Sequence, residues 1–101
     1  MCGRFVAAYD ADKLAHDRDA RVSSSLPSVS WNVAPNAPIR VLAPDKHGSL
    51  WLMAAYWSLI PEWMRDEVPP FPTFNARIET ALERPAFRDS ARNHRLIVPM
   101  T

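Results

Sequence analysis

The sequence predicts a small mixed α+β domain. Three observations carry that expectation. Short β-compatible apolar runs recur along the chain, one segment has a helix-capping signal, and ten prolines interrupt nearly everything between them. At 101 residues the chain is one domain at most, residues 1–101, and buries only about two-thirds of its unfolded surface. A hydrophobic content of 48% with 23% charged residues reads as globular rather than disordered.

The elements follow in order. "GRFV" (Gly3–Val6) is short and β-compatible and predicts a first strand. "YDADKLAHDRDA" predicts a helix, with Asp10 as its N-cap and Leu14 as an apolar contact. "RVSSSLPS" is rich in Ser and Pro and reads as a loop. "WNVAPNAPIRVLAP" begins as a proline-punctuated turn and becomes a strand over Ile39 to Leu42. "DKHGS" is a hairpin-like turn, and "LWLMAAYWSL" is the strongest strand, apolar throughout and therefore expected to be buried on both faces.

The next stretch, "IPEWMRDEVPPFPTF", is predicted to be irregular, because Pro61, Pro69, Pro70 and Pro72 break both helix and central strand. A long loop of this kind, carrying Trp63 and Phe71, belongs to a functional surface or a linker. Glu79 to Glu83 predict a short helix, and Pro85 fits the first position of another running to about Ala91. "HRLIVPM" predicts a final strand. No internal repeat or low-complexity tract divides the chain. The chain stops directly after that strand, which fits a shortened domain whose apolar strand surface invites aggregation or pairing with another chain.

Several function classes are disfavoured by composition. No apolar run approaches the roughly 20 residues that span a bilayer, so no membrane partner is expected. No signal peptide opens the chain, and a single cysteine suits a reducing compartment; cytoplasm is the expected location. Two glycines supply no phosphate-cradling loop. One cysteine with His16, His47 and His94 gives no zinc spacing, and no metal is expected. Of twelve basic residues ten are arginines, whose planar forks grip phosphate or carboxylate in two-pronged fashion. A GC-rich coding bias yields the same composition, so nucleic acid is neither required nor excluded.

The chemistry concentrates on Cys2. Once Met1 is removed, Cys2 presents an α-amine and a thiol on adjacent carbons, with ordinary pKa values of about 7.7–8.0 and about 8.5. Such an aminothiol reacts with an aldehyde to give an imine and then a five-membered thiazolidine. An internal cysteine has only an amide nitrogen and can do neither step.

Four motifs occur in order: "MCGRF" at the start, "WNVAP" at Trp31–Pro35, "YWSLIPEWM" at Tyr56–Met64 and "FNARIET" at Phe74–Thr80. With them the chain resembles the SRAP family, named for SOS-response-associated peptidases, along its whole length. The resemblance implies a fold with curved β-sheets forming a barrel-like core and helices outside, here incomplete. It implies a role in DNA damage repair, with single-stranded DNA containing abasic sites as the partner. The mature N-terminal cysteine joins the ring-opened sugar as a thiazolidine, a covalent DNA–protein crosslink that shields the lesion, and no cofactor is used.

By the same resemblance, Cys2 is the nucleophile and Asn75 the amide beside it. Arg4 and Arg77 grip DNA phosphates, Asn32 and Pro35 line the pocket, and Trp63 with Met64 forms an apolar wedge against the bases. Glu79 is expected to pair with a nearby arginine. On the residues alone other roles stay open: Asn75 as a turn residue, Arg4 and Arg77 as surface ion pairs, Trp63 in the core. Family members continue into a segment bearing a glutamate and later a histidine that assist the chemistry. This chain has no match to either, and is read as the N-terminal portion of the domain. Two alternatives accompany the crosslinking reading: an N-terminal-cysteine peptidase limited to removing its own Met1, and a fragment that binds single-stranded DNA without chemistry. The oligomeric state is open.

Overall fold

A computed structural model of the chain describes residues 2–64 and 71–101. Met1, Pro69 and Pro70, which figure in the expectations above, lie outside the described residues. The elements are β1 (Phe5–Ala7), α1 (Ala11–Asp17), β2 (Arg21–Val22), β3 (Ser30–Val33), β4 (Pro38–Pro44), β5 (Leu50–Tyr56) and α2 (Arg88–Asn93). The α+β class is therefore correct.

The strands form two sheets. β1 pairs antiparallel with β3, through an irregular register between Phe5↔Val33 and Ala7↔Ser30. In the other sheet β5 is central, antiparallel to β4 and parallel to β2. Among the described residues the sheets do not close into a barrel. They meet across Ala7, Val33, Ile39 and Val41, with Phe5, Met53, Ala55 and Trp57 packed around them. Alternation explains the arrangement: Ile39 and Val41 share one face of β4 and pair in register with Ala55 and Met53 on β5.

The hairpin joining β4 and β5 is built by Asp45. Gly48 donates its N–H to the Asp45 carbonyl at 3.1 Å and sits at φ 83°, the left-handed region that glycine enters without steric cost. The Asp45 carboxylate accepts from the Trp51 indole N–H at 3.0 Å and from the backbone N–H groups of His47 and Ser49 at 2.8 and 3.0 Å. The indole bond is the main force holding this carboxyl below its ordinary pKa, with the two amides assisting against partial desolvation.

α1 starts where expected. Asp10 Oδ1 accepts from the N–H groups of Asp12 and Lys13 at 3.0 and 3.2 Å, satisfying two donors that lack helical partners. Its buried residue is Ala15 rather than Leu14, which is half-buried, and the helix lies against β2 and β5. Arg40 on β4 is 8% exposed, and its guanidinium donates to the Pro27 and Tyr9 carbonyls at 2.8 and 3.1 Å. One of the ten arginines is thus a structural tie between the loop before β3 and the turn before α1.

Several expectations are corrected. Arg21–Val22, read as loop, is a strand, because β5 offers it a parallel edge and Ser23 donates to the Leu52 carbonyl at 2.9 Å. Trp31–Val33, read as the start of a turn, lies in β3, a strand paired with β1. β5 is not buried on both faces: Leu52 is fully buried, but Ala54 and Tyr56 are exposed. Glu79 to Glu83 form successive turns, and the only helix there begins at Arg88, with Pro85 in the turn before it. The final strand reduces to a single antiparallel bridge, Leu42↔Ile97. Thr101 reaches β1, donating its N–H to the Val6 carbonyl at 2.8 Å and accepting from the Ala8 N–H at 2.9 Å. No described helix is long and apolar enough to cross a membrane.

Candidate functional site

The site is assembled around Trp57, which ends the β5 run. Its backbone bonds with the β3–β4 turn fix it in place: Asn36 donates to the Trp57 carbonyl at 2.7 Å, and Trp57 donates to the Ala37 carbonyl at 3.0 Å. Asn36 adopts φ 64°, a region asparagine tolerates better than most residues, and its Oδ1 accepts from the Ser58 hydroxyl at 2.6 Å. So anchored, the indole lies edge-on to Phe5 at 5.2 Å and to Phe74 at 6.4 Å between ring centroids. Its Nε1–H donates to the Phe74 carbonyl at 3.0 Å.

This clamp links the start of β1 to the segment containing Asn75. Asn75 Nδ2 donates to the Cys2 carbonyl at 2.7 Å, joining residues 73 positions apart. Cys2 is exposed and its thiol is free. Nitrogen, sulfur and an oriented side-chain amide are thereby brought together at the chain's first described residue.

Beside Asn75 lies an open groove of about 490 Å³, walled by Trp63, Phe71, Asn75, Arg77, Arg84 and Phe87 among others. Trp63 is 57% exposed, and its Nε1–H donates a long bond to the Pro85 carbonyl at 3.4 Å; it is not a core residue. Arg77 Nε stands 3.7 Å from Glu79 Oε2, both side chains mostly exposed, so Glu79 has the expected arginine partner. Arg4 forms a separate contact, donating from Nη1 to Asn32 Oδ1 at 3.4 Å.

The structure thus unites Cys2 with Asn75, Asn75 with Arg77 and Trp63, and Arg4 with Asn32. Pro35 and Met64 join neither set. Pro35 is half-buried in the turn before Asn36, and Met64 is half-buried in a turn closed by its N–H to the Pro61 carbonyl at 2.9 Å. His16, His47 and His94 are exposed. Among the described residues no group of three or more His, Cys, Asp or Glu is placed to hold a metal.

Sequence reasoning missed the clamp residues Phe5, Trp57 and Phe74, and Asn36. Trp57 and Phe74 lie inside quoted motifs, but an aromatic in an apolar run carries no local sign of being a hinge between segments. Asn36 carried a weak sign, since asparagine after proline is a turn residue.

A family model for the SOS response associated peptidase, SRAP, matches residues 1–101. The abasic site processing protein YoaM of Bacillus subtilis is 37% identical over 101 residues, a match covering 98% of this chain and 44% of that protein. The abasic site processing protein YoqW, of the same bacterium and of Bacillus phage SPbeta, is 34% identical, covering 98% of this chain and 45% of that one. A crystal structure of a Bordetella bronchiseptica protein superposes with a TM-score of 0.75 at 22% identity, covering 98% of this chain and 48% of the other; it shares the fold. The chain spans about half the length of these relatives. Matched along its entire length, it belongs to the SRAP family.

Proposed function

We propose that the chain acts in abasic-site processing by capturing the lesion covalently through Cys2. The observation that carries this reading is the 2.7 Å hydrogen bond from the Asn75 amide to the Cys2 carbonyl. It joins residues 73 positions apart and holds the chain's start beside a groove lined by aromatic residues and arginines. The relatives YoaM and YoqW are abasic site processing proteins, which supports the same substrate here.

The chemistry balances without oxidant or reductant. Hydrolysis of the Met1–Cys2 amide consumes one water and frees the α-amine. That amine adds to the aldehyde carbon of the ring-opened sugar, and loss of water gives an imine. The Cys2 sulfur then bonds to the imine carbon while its proton moves to nitrogen, closing the thiazolidine. Asn75 restricts the rotation of the terminus, so the amine and thiol meet the carbonyl as an intramolecular pair rather than as a frayed end. In this reading Arg77 holds a phosphate of the strand, and Trp63 stacks on an unpaired base. Single-stranded DNA fits because stacking on an exposed indole needs an open base face and tolerates any sequence.

A single-stranded oligonucleotide with one abasic site tests the reading on a denaturing gel. A shifted band is expected from the chain lacking Met1, and none from Cys2→Ala or from protein retaining Met1. Asn75→Ala is expected to slow band formation about tenfold, the loss of one orienting contact in an intramolecular reaction. A wild-type chain with Met1 removed that forms no band overturns covalent capture by this chain. Salt-sensitive binding without a band then favours the non-covalent reading.

A further inference from the structure

We infer that the crevice where the β1–β3 sheet meets the start of β4 is a binding site for a short-chain carboxylate, with its charge on Arg40 and its alkyl chain on Phe5, Ala7 and Val33. The crevice is separate from the groove beside Asn75, and the inference does not depend on the abasic-DNA reading.

Arg40 marks the place. Among the described residues it is the one charged side chain that is buried, at 8% exposed. Taking a guanidinium out of water is costly unless its charge and donors are met. Two carbonyls meet part of that need: Nε donates to Pro27 at 2.8 Å and Nη1 to Tyr9 at 3.1 Å. The Tyr9 ring adds its face, with its centroid 5.3 Å from the guanidinium carbon. No carboxylate among the described residues pairs with Arg40, and its Nη2 donates to none of them. The Tyr9 hydroxyl is also buried without a partner. Arg40 and the ring it covers each hold a donor that lacks an acceptor.

Arg40 and Pro27 line a crevice of about 180 Å³, together with Ser28, Ser30 and Asn32. The acceptors of this polar wall are already engaged. Ser30 Oγ takes the Asn32 N–H at 3.2 Å, and Asn32 Oδ1 takes Arg4 Nη1 at 3.4 Å. What remains is donors, the two serine hydroxyls and the Asn32 amide nitrogen, and no Asp or Glu lines the crevice. Such a wall selects an anion.

Size and the facing wall select which anion. The volume falls below the roughly 300–1,000 Å³ of sites for drug-sized ligands, and a water takes about 30 Å³, so the occupant has a few heavy atoms. Facing the donors are Phe5, Ala7 and Val33, which form part of the apolar core cluster or pack on it. Inorganic phosphate would set a charged, hydrated oxygen against that apolar side. A short carboxylate covers it with methylenes and turns its two oxygens to the guanidinium.

The test is a titration of the isotope-labelled chain with butyrate at constant pH and ionic strength, chloride being the balancing ion. Saturable shifts of the Ser28, Ser30 and Asn32 amide signals are expected, with a melting temperature that rises with butyrate. Acetate, two methylenes shorter, is expected to bind about tenfold more weakly. Butylamine, of opposite charge, is expected to shift none of these signals. Arg40→Lys keeps the charge but loses the fork, and is expected to weaken butyrate binding about tenfold. Because Arg40 also holds two carbonyls, Ser28→Asp at an exposed position serves as a second variant. It sets a carboxylate at the crevice and is expected to abolish the butyrate shifts with the fold intact. The site is overturned by the absence of saturable butyrate shifts, by equal shifts with butylamine, or by either variant binding butyrate as the wild type does. Phosphate that gives the same shifts at lower concentration overturns the carboxylate assignment. None of these measurements uses DNA, so each result leaves abasic-site capture to its own test.

Discussion

Residues 2–57 and residues 58–64 with 71–101 are built by different means. The first stretch holds all five strands, seven β4–β5 register pairs and the core of Ala7, Val33, Ile39 and Val41. The second contributes only Val98 to that cluster. Its order rests on separate bonds: Leu59 N–H to the Thr73 carbonyl at 3.2 Å, the Trp57 indole to Phe74, Asn75 to Cys2, and the paired bonds between Leu42 and Ile97. The candidate site lies on the seam. Cys2 comes from the start of the sheet region, and the Asn75 amide, the groove aromatics and the arginines come from the other. The sheets supply stability, and a few directional contacts convert it into position.

The contrast can be tested from its largest expected effect downward. Leu52→Ala, at a fully buried position, is expected to lower unfolding free energy by about 3 kcal/mol in denaturant titration. Crosslinking per folded molecule should stay unchanged. A loss of crosslinking with stability intact would mean that the sheet region itself shapes the site. Trp57→Phe keeps an aromatic ring there but removes the pyrrole part of the indole and with it the N–H to Phe74. It is expected to cost about 1 kcal/mol of stability while slowing crosslinking by about tenfold. Proportional losses in the two measurements would break the distinction between holding the fold and placing the site.

Acid provides a test confined to the sheet region. The Asp45 carboxyl titrates below its ordinary value of 3.8 in the folded chain, so its stabilising contribution is full above that value and is lost as pH falls through the lowered one. Thermal melts below pH 4 should therefore fall more steeply for the wild type than for Asp45→Asn; parallel curves would remove Asp45 as the source. The smallest effect is expected from Glu79→Gln. This exposed ion pair contributes about 0–1 kcal/mol, so stability should not change, while release of Arg77 should tighten DNA binding about twofold at low salt. An unchanged affinity would separate Arg77 from the DNA path.

Legibility followed how local each signal is. Asp10 capping and the Asp45–Gly48 hairpin were readable because their hydrogen bonds close within four residues. Arg21–Val22 was not, because two residues become a strand only when a distant edge accepts them. The turns at 79–83 replaced the expected helix because a five-residue segment is too short to stabilise helix without tertiary packing. In the site, Cys2, Asn75, Arg77 and Trp63 were visible through ordered motifs. Arg84 and Phe87 were not: nothing in their neighbours marks them as walls of the groove that holds Asn75.

By itself the sequence determined the α+β class, the family and the place of the single cysteine, Cys2, directly after Met1. Those depend on residue identity and short-range order, which a linear text preserves. Only the tertiary structure decided that Asn75 meets Cys2, that Trp57 clamps Phe5 to Phe74, and that Trp63 stands between basic and acidic walls. Each of these is a meeting of residues far apart in the chain, and it exists only once the apolar faces of two sheets have closed on one another.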